Sequence, residues 1–221
     1  MTLEGADGTG KSTQARALED RLTAAGHTVV RTREPGGAPG AEDIRRLLVE
    51  GEPGRWSAET EMLLFTAARR DHMERVIAPA LAAGRIVLCD RFVDSTRAYQ
   101  GAGGTAGAKA RRTQIDALHA LTIGREADLT LILDLDPAEA HARAAARMAG
   151  GPGAEDRFEK RGPAFQAALA TAFRAIAADD PTRCRLIDAT GDIESITGRL
   201  WQVLDVALDV ALHRALPVDE G

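Results

Sequence analysis

The sequence predicts an α/β fold: a five-stranded parallel sheet between two layers of helices, in a three-layer α/β/α arrangement. Three observations carry this. Apolar runs alternate with helix-period patterns from one end of the chain to the other, as in a sheet built from strand–helix–strand units. Ile86-Val87-Leu88 and the run Leu129 to Leu133 are nearly continuous in apolar residues, as strands covered on both faces require. A glycine-rich turn, Gly5 to Gly10, separates the first run from the first helical pattern.

Strands are predicted at Met1–Glu4, Thr28–Thr32, Arg85–Cys89, Leu129–Asp134 and Cys184–Ile187. Ala15, Leu18 and Leu22 share one face of the first helix, which Gly26 ends. Met62, Leu63 and Leu64 read as core on a later helix. Asp136, Pro137 and Glu139 supply a cap, a first-turn proline and an early acid for another. Gly150-Gly151-Pro152-Gly153 is incompatible with regular structure and is predicted to break two helices around a mobile loop; Gly101 to Gly107 is similarly glycine-rich. Ile193–His213 reads as a long amphipathic helix, with Ile196, Leu200, Val203 and Leu204 on the side that covers the sheet or a second subunit. The first strand is short enough to raise the expectation of residues ahead of Met1. No internal repeat occurs, and a disordered tail is expected only after Leu216.

The 221 residues suffice for one well-buried core, and residues 1–221 are read as a single domain. A net charge of −5 gives no electrostatic basis for a nucleic-acid partner, so any bound phosphate must be held by local arrangement. Cys89 and Cys184 show neither metal spacing nor a disulfide framework, and Cys89 reads as a small buried hydrophobe. No apolar stretch approaches the ~18 residues of a membrane span. A reduced, cytoplasmic, soluble protein without a membrane partner is expected.

Gly5-Ala6-Asp7-Gly8-Thr9-Gly10-Lys11-Ser12 matches G-x-x-x-x-G-K-[ST] at every fixed position, with Thr13 following. It lies between a strand and a helix, the context its chemistry needs. The glycines let successive backbone N–H groups turn toward a phosphate, and the helix N-terminus adds partial positive charge. Lys11 supplies a cation for the β- and γ-phosphates of ATP, and Ser12 a hydroxyl for Mg²⁺. The sequence has no asparagine, so the Asn-Lys-x-Asp motif of switch GTPases is absent; Asp188-Ala189-Thr190-Gly191 imitates their Asp-x-x-Gly but lies near the C-terminus. The chain is short for a motor ATPase. A small-molecule kinase remains.

Among such kinases, one that acts on a monophosphate must hold a second anion opposite the loop, a task for arginine. Arg33, in Arg33-Glu34-Pro35-Gly36-Gly37, and Arg91, in Asp90-Arg91-Phe92, both follow strand ends, where parallel sheets bind ligands. Asp90 is a candidate Mg²⁺ ligand through water. Phe65 and Arg69 are four apart on one helix, able to stack and to donate from one face. Spacing alone leaves Phe65 readable as a core aromatic, Arg69 as a solvated charge, and Arg45 as exchangeable with Arg46.

Together these pieces resemble bacterial thymidylate kinase across nearly the whole chain: the loop with Asp7, Arg33 to Gly37, Leu64-Phe65 with Arg69, Cys89-Asp90-Arg91-Phe92 leading to Ser95 and Tyr99-Gln100-Gly101, and Asp156-Arg157-Phe158-Glu159. The resemblance implies a P-loop kinase that moves the γ-phosphoryl group of ATP to dTMP with Mg²⁺, as a homodimer. It implies that Phe65 stacks on thymine, Arg69 bonds a base carbonyl, and Arg45 and Arg91 bind the dTMP phosphate. Tyr99 would lie against the deoxyribose and Asp7 would reach its 3′-hydroxyl. Glu34-Pro35 would form a rigid turn with a cis peptide, and Ser95, Thr96 and Gln100 would complete the acceptor site. Where some relatives carry an arginine inside the loop this chain has Gly8, so the extra cation is expected from a small helical lid at approximately 143–160. Arg143, Arg147 and Arg157 are the candidates, with Arg147 favoured beside Lys11 and Arg91 as catalytic. Two rivals stand: a kinase for another nucleotide or a modified pyrimidine, and a regulatory protein that kept the fold and lost the chemistry. Intact Lys11, Ser12, Asp90 and Arg91 argue against the second.

Overall fold

The computed structural model describes residues 1–52, 54–101, 107–149 and 162–215. Its strands are β1 (Thr2–Glu4), β2 (Val29–Arg33), β3 (Ile86–Asp90), β4 (Thr130–Asp134) and β5 (Cys184–Asp188). They form one parallel sheet in the order β2-β3-β1-β4-β5, with β1 at the centre. Each predicted strand is present, shifted by no more than a residue or so at its ends. The helices are α1 (Lys11–Ala24), α2 (Pro39–Val49), α3 (Ala58–His72), α4 (Ala78–Ala82), α5 (Val93–Tyr99), α6 (Ala108–Thr122), α7 (Pro137–Ala149), α8 (Pro163–Asp179) and α9 (Ile193–Ala215).

Alternation along the strands divides the core between the two faces of the sheet. Leu3, Leu88, Leu131, Leu133 and Ile187 pack with Leu18 and Leu22 of α1 and with Ile196, Leu200 and Leu204 of α9. Ile132 points the other way, to Ala98 and Tyr99 of α5 and to Leu169, Phe173 and Ile176 of α8. Val87 meets Phe92, Val93, Met73 and Ile115 on that same side. Each fully buried large apolar side chain contributes roughly 1.5–3 kcal/mol.

Asp136 caps α7 as its sequence suggests, its Oδ1 accepting from the Ala138 and Glu139 N–H groups at 2.9 and 3.3 Å. Both cysteines are buried and free. Met62 is core, but Leu63 is 54% exposed, which corrects the reading of all three neighbours as core: the apolar stripe of α3 is narrower than that run. Between α3 and α4 the backbone widens into a π turn, Met73–Ile77. Pro79 offers no N–H, and its ring would press on the carbonyl of Arg75 four residues back; the wider turn relieves that clash. The glycine-rich run at 150–153, the rest of the lid to residue 160, residues 102–106 of the other glycine-rich run and the tail after residue 215 lie outside the described residues.

Candidate active site

The sheet order brings three strand ends together. β1 and β3 are neighbours, with Leu3 opposite Asp90, and the Arg91 N–H donates to the Leu3 carbonyl at 2.9 Å. β2 lies beyond β3, and the Glu34 N–H donates to the Asp90 carbonyl at 2.9 Å. The phosphate loop, Asp90-Arg91 and the Glu34-Pro35 turn therefore share one edge of the sheet, where β1 is flanked by strands reached in opposite directions.

The loop is closely packed. Gly8 has φ +84°, and a Cβ there would lie 1.9 Å from the Ala140 carbonyl oxygen of α7. No side chain fits, so an arginine at this position is sterically barred. Thr9 Oγ1 donates to the Ala6 carbonyl at 2.9 Å, and Lys11 Nζ donates to the same oxygen at 2.7 Å. Gly5 and Ala6 are buried, Gly10 is half-buried, and Thr13 is exposed on α1. Burial and the nearby Arg91 pull the Lys11 ammonium down to about 8, against the carboxylates of Asp7, Asp90 and Glu4. Ser12 Oγ donates to Asp90 Oδ2 at 2.6 Å, so the two proposed metal-holding side chains already meet. A hydroxyl and a carboxylate are hard oxygen donors of the kind Mg²⁺ takes.

Arg91 is the hub. Its backbone adopts φ 72°, a left-handed conformation costing an L-residue about 1–3 kcal/mol. Nη1 donates to the Gly5 carbonyl at 3.0 Å and to Ser95 Oγ at 2.9 Å; Nη2 donates to Asp7 Oδ1 at 2.5 Å and to the Tyr99 hydroxyl at 3.0 Å. Tyr99 in turn donates to Asp7 Oδ2 at 2.9 Å. Burial pushes the Asp7 carboxyl up, but Arg91, Lys11 and the Tyr99 hydroxyl outweigh it and hold it below the usual range. Burial and Asp7 push the Tyr99 phenol well above its ordinary value, against the pull of Arg91.

Arg45 and Arg46, exchangeable in sequence, separate in space. Arg45 turns inward and donates to the Pro35 carbonyl at 2.6 Å, whereas Arg46 is exposed and pairs with Asp43. Arg33 also turns away, to the Glu42 carboxylate at 3.1 Å. Arg69 is not a solvated charge. It is 3% exposed, donates from Nε to Glu34 Oε2 at 2.7 Å and from Nη2 to Thr96 Oγ1 at 2.9 Å, and lies 5.2 Å from the Phe92 ring centroid. Phe65, one turn earlier, is half-buried and joins no apolar core cluster among the described residues. The Glu34-Pro35 peptide is cis. Gln100 Nε2 donates to Glu61 Oε2 at 3.0 Å, while its buried Oε1 has no hydrogen-bond partner among the described residues.

Compared with known proteins, residues 3–199 match the family model described as thymidylate kinase. The chain is 55% identical over 204 residues to the thymidylate kinase of Ruegeria pomeroyi, covering 92% of this chain and 93% of that one. It is 58% identical over 188 residues to that of Dinoroseobacter shibae, covering 85% and 87%. The crystal structure of thymidylate kinase from Ehrlichia chaffeensis matches with a TM-score of 0.69 at 34% identity, over 92% of this chain and 96% of that one. The chain belongs to the thymidylate kinase family.

Within this thymidylate kinase fold, two buried polar residues that no sequence motif marks lie beside the site. Glu4, the last residue of β1, is fully buried; it accepts from the Phe92 N–H at 2.7 Å and from Ser95 Oγ at 2.5 Å. An acid ending a strand covered on both faces was the available signal. His72 lies three residues after Arg69 and so on the same helix face, also fully buried. Of the lid arginines, Arg143 pairs with Glu139 on its own helix at 2.6 Å; the Arg147 side chain and all of Arg157 lie outside the described residues.

Proposed function

We infer that this member of the family catalyses ATP + dTMP → ADP + dTDP, using the arginine-centred cluster beside the phosphate loop to hold the acceptor. The observation that carries this is Arg91, fixed by five oxygen partners within reach of Gly5 and Asp7, so that donor and acceptor sites share one strand edge. Phosphoryl transfer asks the protein to align its reactants and neutralise charge, with little covalent chemistry.

In this reading Gly5, Ala6, Asp7, Gly8, Thr9, Gly10, Lys11, Ser12 and Thr13 bind ATP. Lys11 leaves the Ala6 carbonyl for the phosphates, which would draw its ammonium back toward full protonation. Ser12, and Asp90 through water, would hold Mg²⁺ with the nucleotide, and the ion would supply charge neutralisation at the phosphates. Arg45 and Arg91 bind the dTMP phosphate. Asp7 and Tyr99 meet the deoxyribose, where the phenol would disfavour a 2′-hydroxyl. Phe65 stacks on thymine, and Arg69 donates to a base carbonyl. The unpartnered acceptor of Gln100 suits the N3–H of thymine, a donor that cytosine lacks. Glu34, Pro35, Ser95 and Thr96 keep these groups in place.

Residues 1–221 would act as one domain, with 143–160 as the lid and Arg147 supplying the added cation. Closure would exclude water, which competes with the acceptor as nucleophile. A homodimer is supported by exposed Leu63 on α3 and Leu121 on α6, two helices in contact. A cytoplasmic location fits the free, buried cysteines. No described helix is long and apolar enough to cross a membrane. Purified protein given ATP, Mg²⁺ and dTMP should yield dTDP and ADP in equal amounts; ADP release without dTDP would overturn the assignment.

A further inference from the structure

We propose that His72 is a positioning residue for recognition of the pyrimidine base: it holds Glu34 in the orientation that aims Arg69 at the acceptor. This rests on the reading of Arg69 as the base-carbonyl donor.

His72 ends α3, fully buried, with both ring nitrogens engaged. Nδ1 lies 3.2 Å from Glu34 Oε1, and Nε2 lies 2.7 Å from Thr32 Oγ1. A carboxylate only accepts, so Nδ1 carries the proton; in the neutral ring Nε2 accepts from the threonine hydroxyl, and in the charged ring it donates to it. The other Glu34 oxygen accepts from Arg69 Nε at 2.7 Å, and Arg69 Nη2 donates to Thr96 at 2.9 Å. Donors and acceptors therefore match along an unbroken line from Thr32 through His72 and Glu34 to Arg69 and Thr96. Among the described residues Arg69 Nη1 has no partner, which leaves it to donate to a ligand.

The line is sealed from above. At Gly37, φ +84°, a Cβ would stand 2.5 Å from both His72 Nε2 and Thr32 Oγ1, so the backbone closes directly over that hydrogen bond. Cys89 lies close enough for its sulfur, Glu34 and His72 to have ligand-type atoms within 4.8 Å of one another. All three are already committed: Cys89 Sγ donates to the Arg91 carbonyl at 3.0 Å, and burial pushes its thiol up, away from the thiolate a metal would need. The cluster is a hydrogen-bonded support. Without the His72 donor, Glu34 Oε1 would be buried without that partner, and the carboxylate could swing from Arg69 to seek another.

Asparagine and glutamine divide the two functions of the ring. The amide nitrogen of asparagine coincides with Nδ1 and keeps the bond to Glu34. That of glutamine coincides with Nε2, reaching Thr32 and abandoning Glu34. His72→Gln is expected to raise KM for dTMP about tenfold, with KM for ATP unchanged and kcat within about twofold, and His72→Asn to stay within about threefold of wild type throughout. Equal effects of the two substitutions, or none from His72→Gln, would overturn the proposal. If the glutamine variant does not fold, Thr32→Val serves: it keeps the imidazole but removes its hydroxyl partner. It is expected to raise KM for dTMP about threefold and to leave KM for ATP alone, and an unchanged KM for dTMP overturns the proposal. Arg69→Gln is the control. If it leaves KM for dTMP unchanged, the base-reading assignment itself falls; if it raises KM while His72→Gln does not, only the role of His72 falls.

Discussion

Arg91 holds an unfavourable backbone conformation and is kept there by five oxygen partners, from Gly5, Asp7, Ser95 and Tyr99 through its side chain and from Leu3 through its N–H. Strain kept so firmly at one arginine marks a group whose direction matters. Arg91→Lys retains the charge but loses the planar fork, and kcat/KM for dTMP should fall by roughly 10²–10³ while KM for ATP changes little. A fall under threefold would remove Arg91 from the acceptor site. Glu4 gives a pH signature. Burial and the neighbouring Asp94 push its carboxyl up to about 7, against Arg91 and the hydrogen bonds from Ser95 and Phe92. The folded state thus binds this proton more tightly than the unfolded chain, whose value is 4.5. The stability this contributes is fully present below the unfolded value and is lost as pH rises through about 7. Glu4→Gln removes that dependence. Relative to wild type, the variant should gain on the order of 3 kcal/mol between pH 5 and pH 8, read from chemical denaturation. A relative loss over that interval would contradict the buried, proton-holding Glu4.

Among the elements, α5 shows how the site is kept rigid. All seven of its residues are buried. Ser95 and Tyr99 accept from Arg91 and Thr96 accepts from Arg69, while Asp94 and Arg97 anchor the helix from its other side. Asp94 accepts from Arg183 at 2.6 Å and from Arg97 at 2.9 Å; Arg97 also reaches Asp116 and Glu126 at 2.7 and 2.5 Å. Removing one member of such a buried network leaves the others uncompensated. Asp94→Ala should therefore lower stability by about 3–5 kcal/mol, seen as a drop in Tm, and a Tm shift under 2 °C would show the network to be incidental. The loop and α7 form a second unit, since Gly8 touches Ala140. Gly8→Ala should displace the loop and raise KM for ATP at least about tenfold, because the methyl group meets backbone that cannot yield. An unchanged KM for ATP would mean that the loop moves freely of α7. Most elements were legible in the sequence because a parallel sheet writes continuous apolar runs and the loop writes fixed glycines. The π turn was not, since it reflects a clash between Pro79 and a carbonyl that no periodicity encodes. Nor was the ionic anchoring of α5: spacing tells which face a charge lies on, but Asp94 and Arg183 are 89 residues apart and meet only after the sheet has formed.

At the scale of the whole molecule, the order β2-β3-β1-β4-β5 makes the site, because it sets three loops distant in sequence along one edge. The residues that touch ligand in this account, such as Arg69, Arg91 and Tyr99, could be proposed from motif and resemblance. Those that hold them, Glu4 and His72, could not, because their partners are distant in sequence: Phe92 and Ser95 for Glu4, Thr32 and Glu34 for His72. The proposed dimer belongs to this scale too. Leu63→Asp together with Leu121→Asp should halve the mass found by sedimentation without unfolding the subunit; an unchanged dimer would locate the interface elsewhere, and a monomeric wild type would end the proposal. The most direct test of the central claim is ADP release by the purified protein with ATP and Mg²⁺, offering dTMP, dUMP, dCMP, dGMP and UMP separately. Turnover should be fast on dTMP and slower on dUMP, since one methyl group discriminates by only about 1–3 kcal/mol, with little on dCMP, dGMP or UMP. Preference for any acceptor other than dTMP would contradict the Phe65, Arg69, Tyr99 and Gln100 pocket, and absence of turnover on all five would contradict the enzyme.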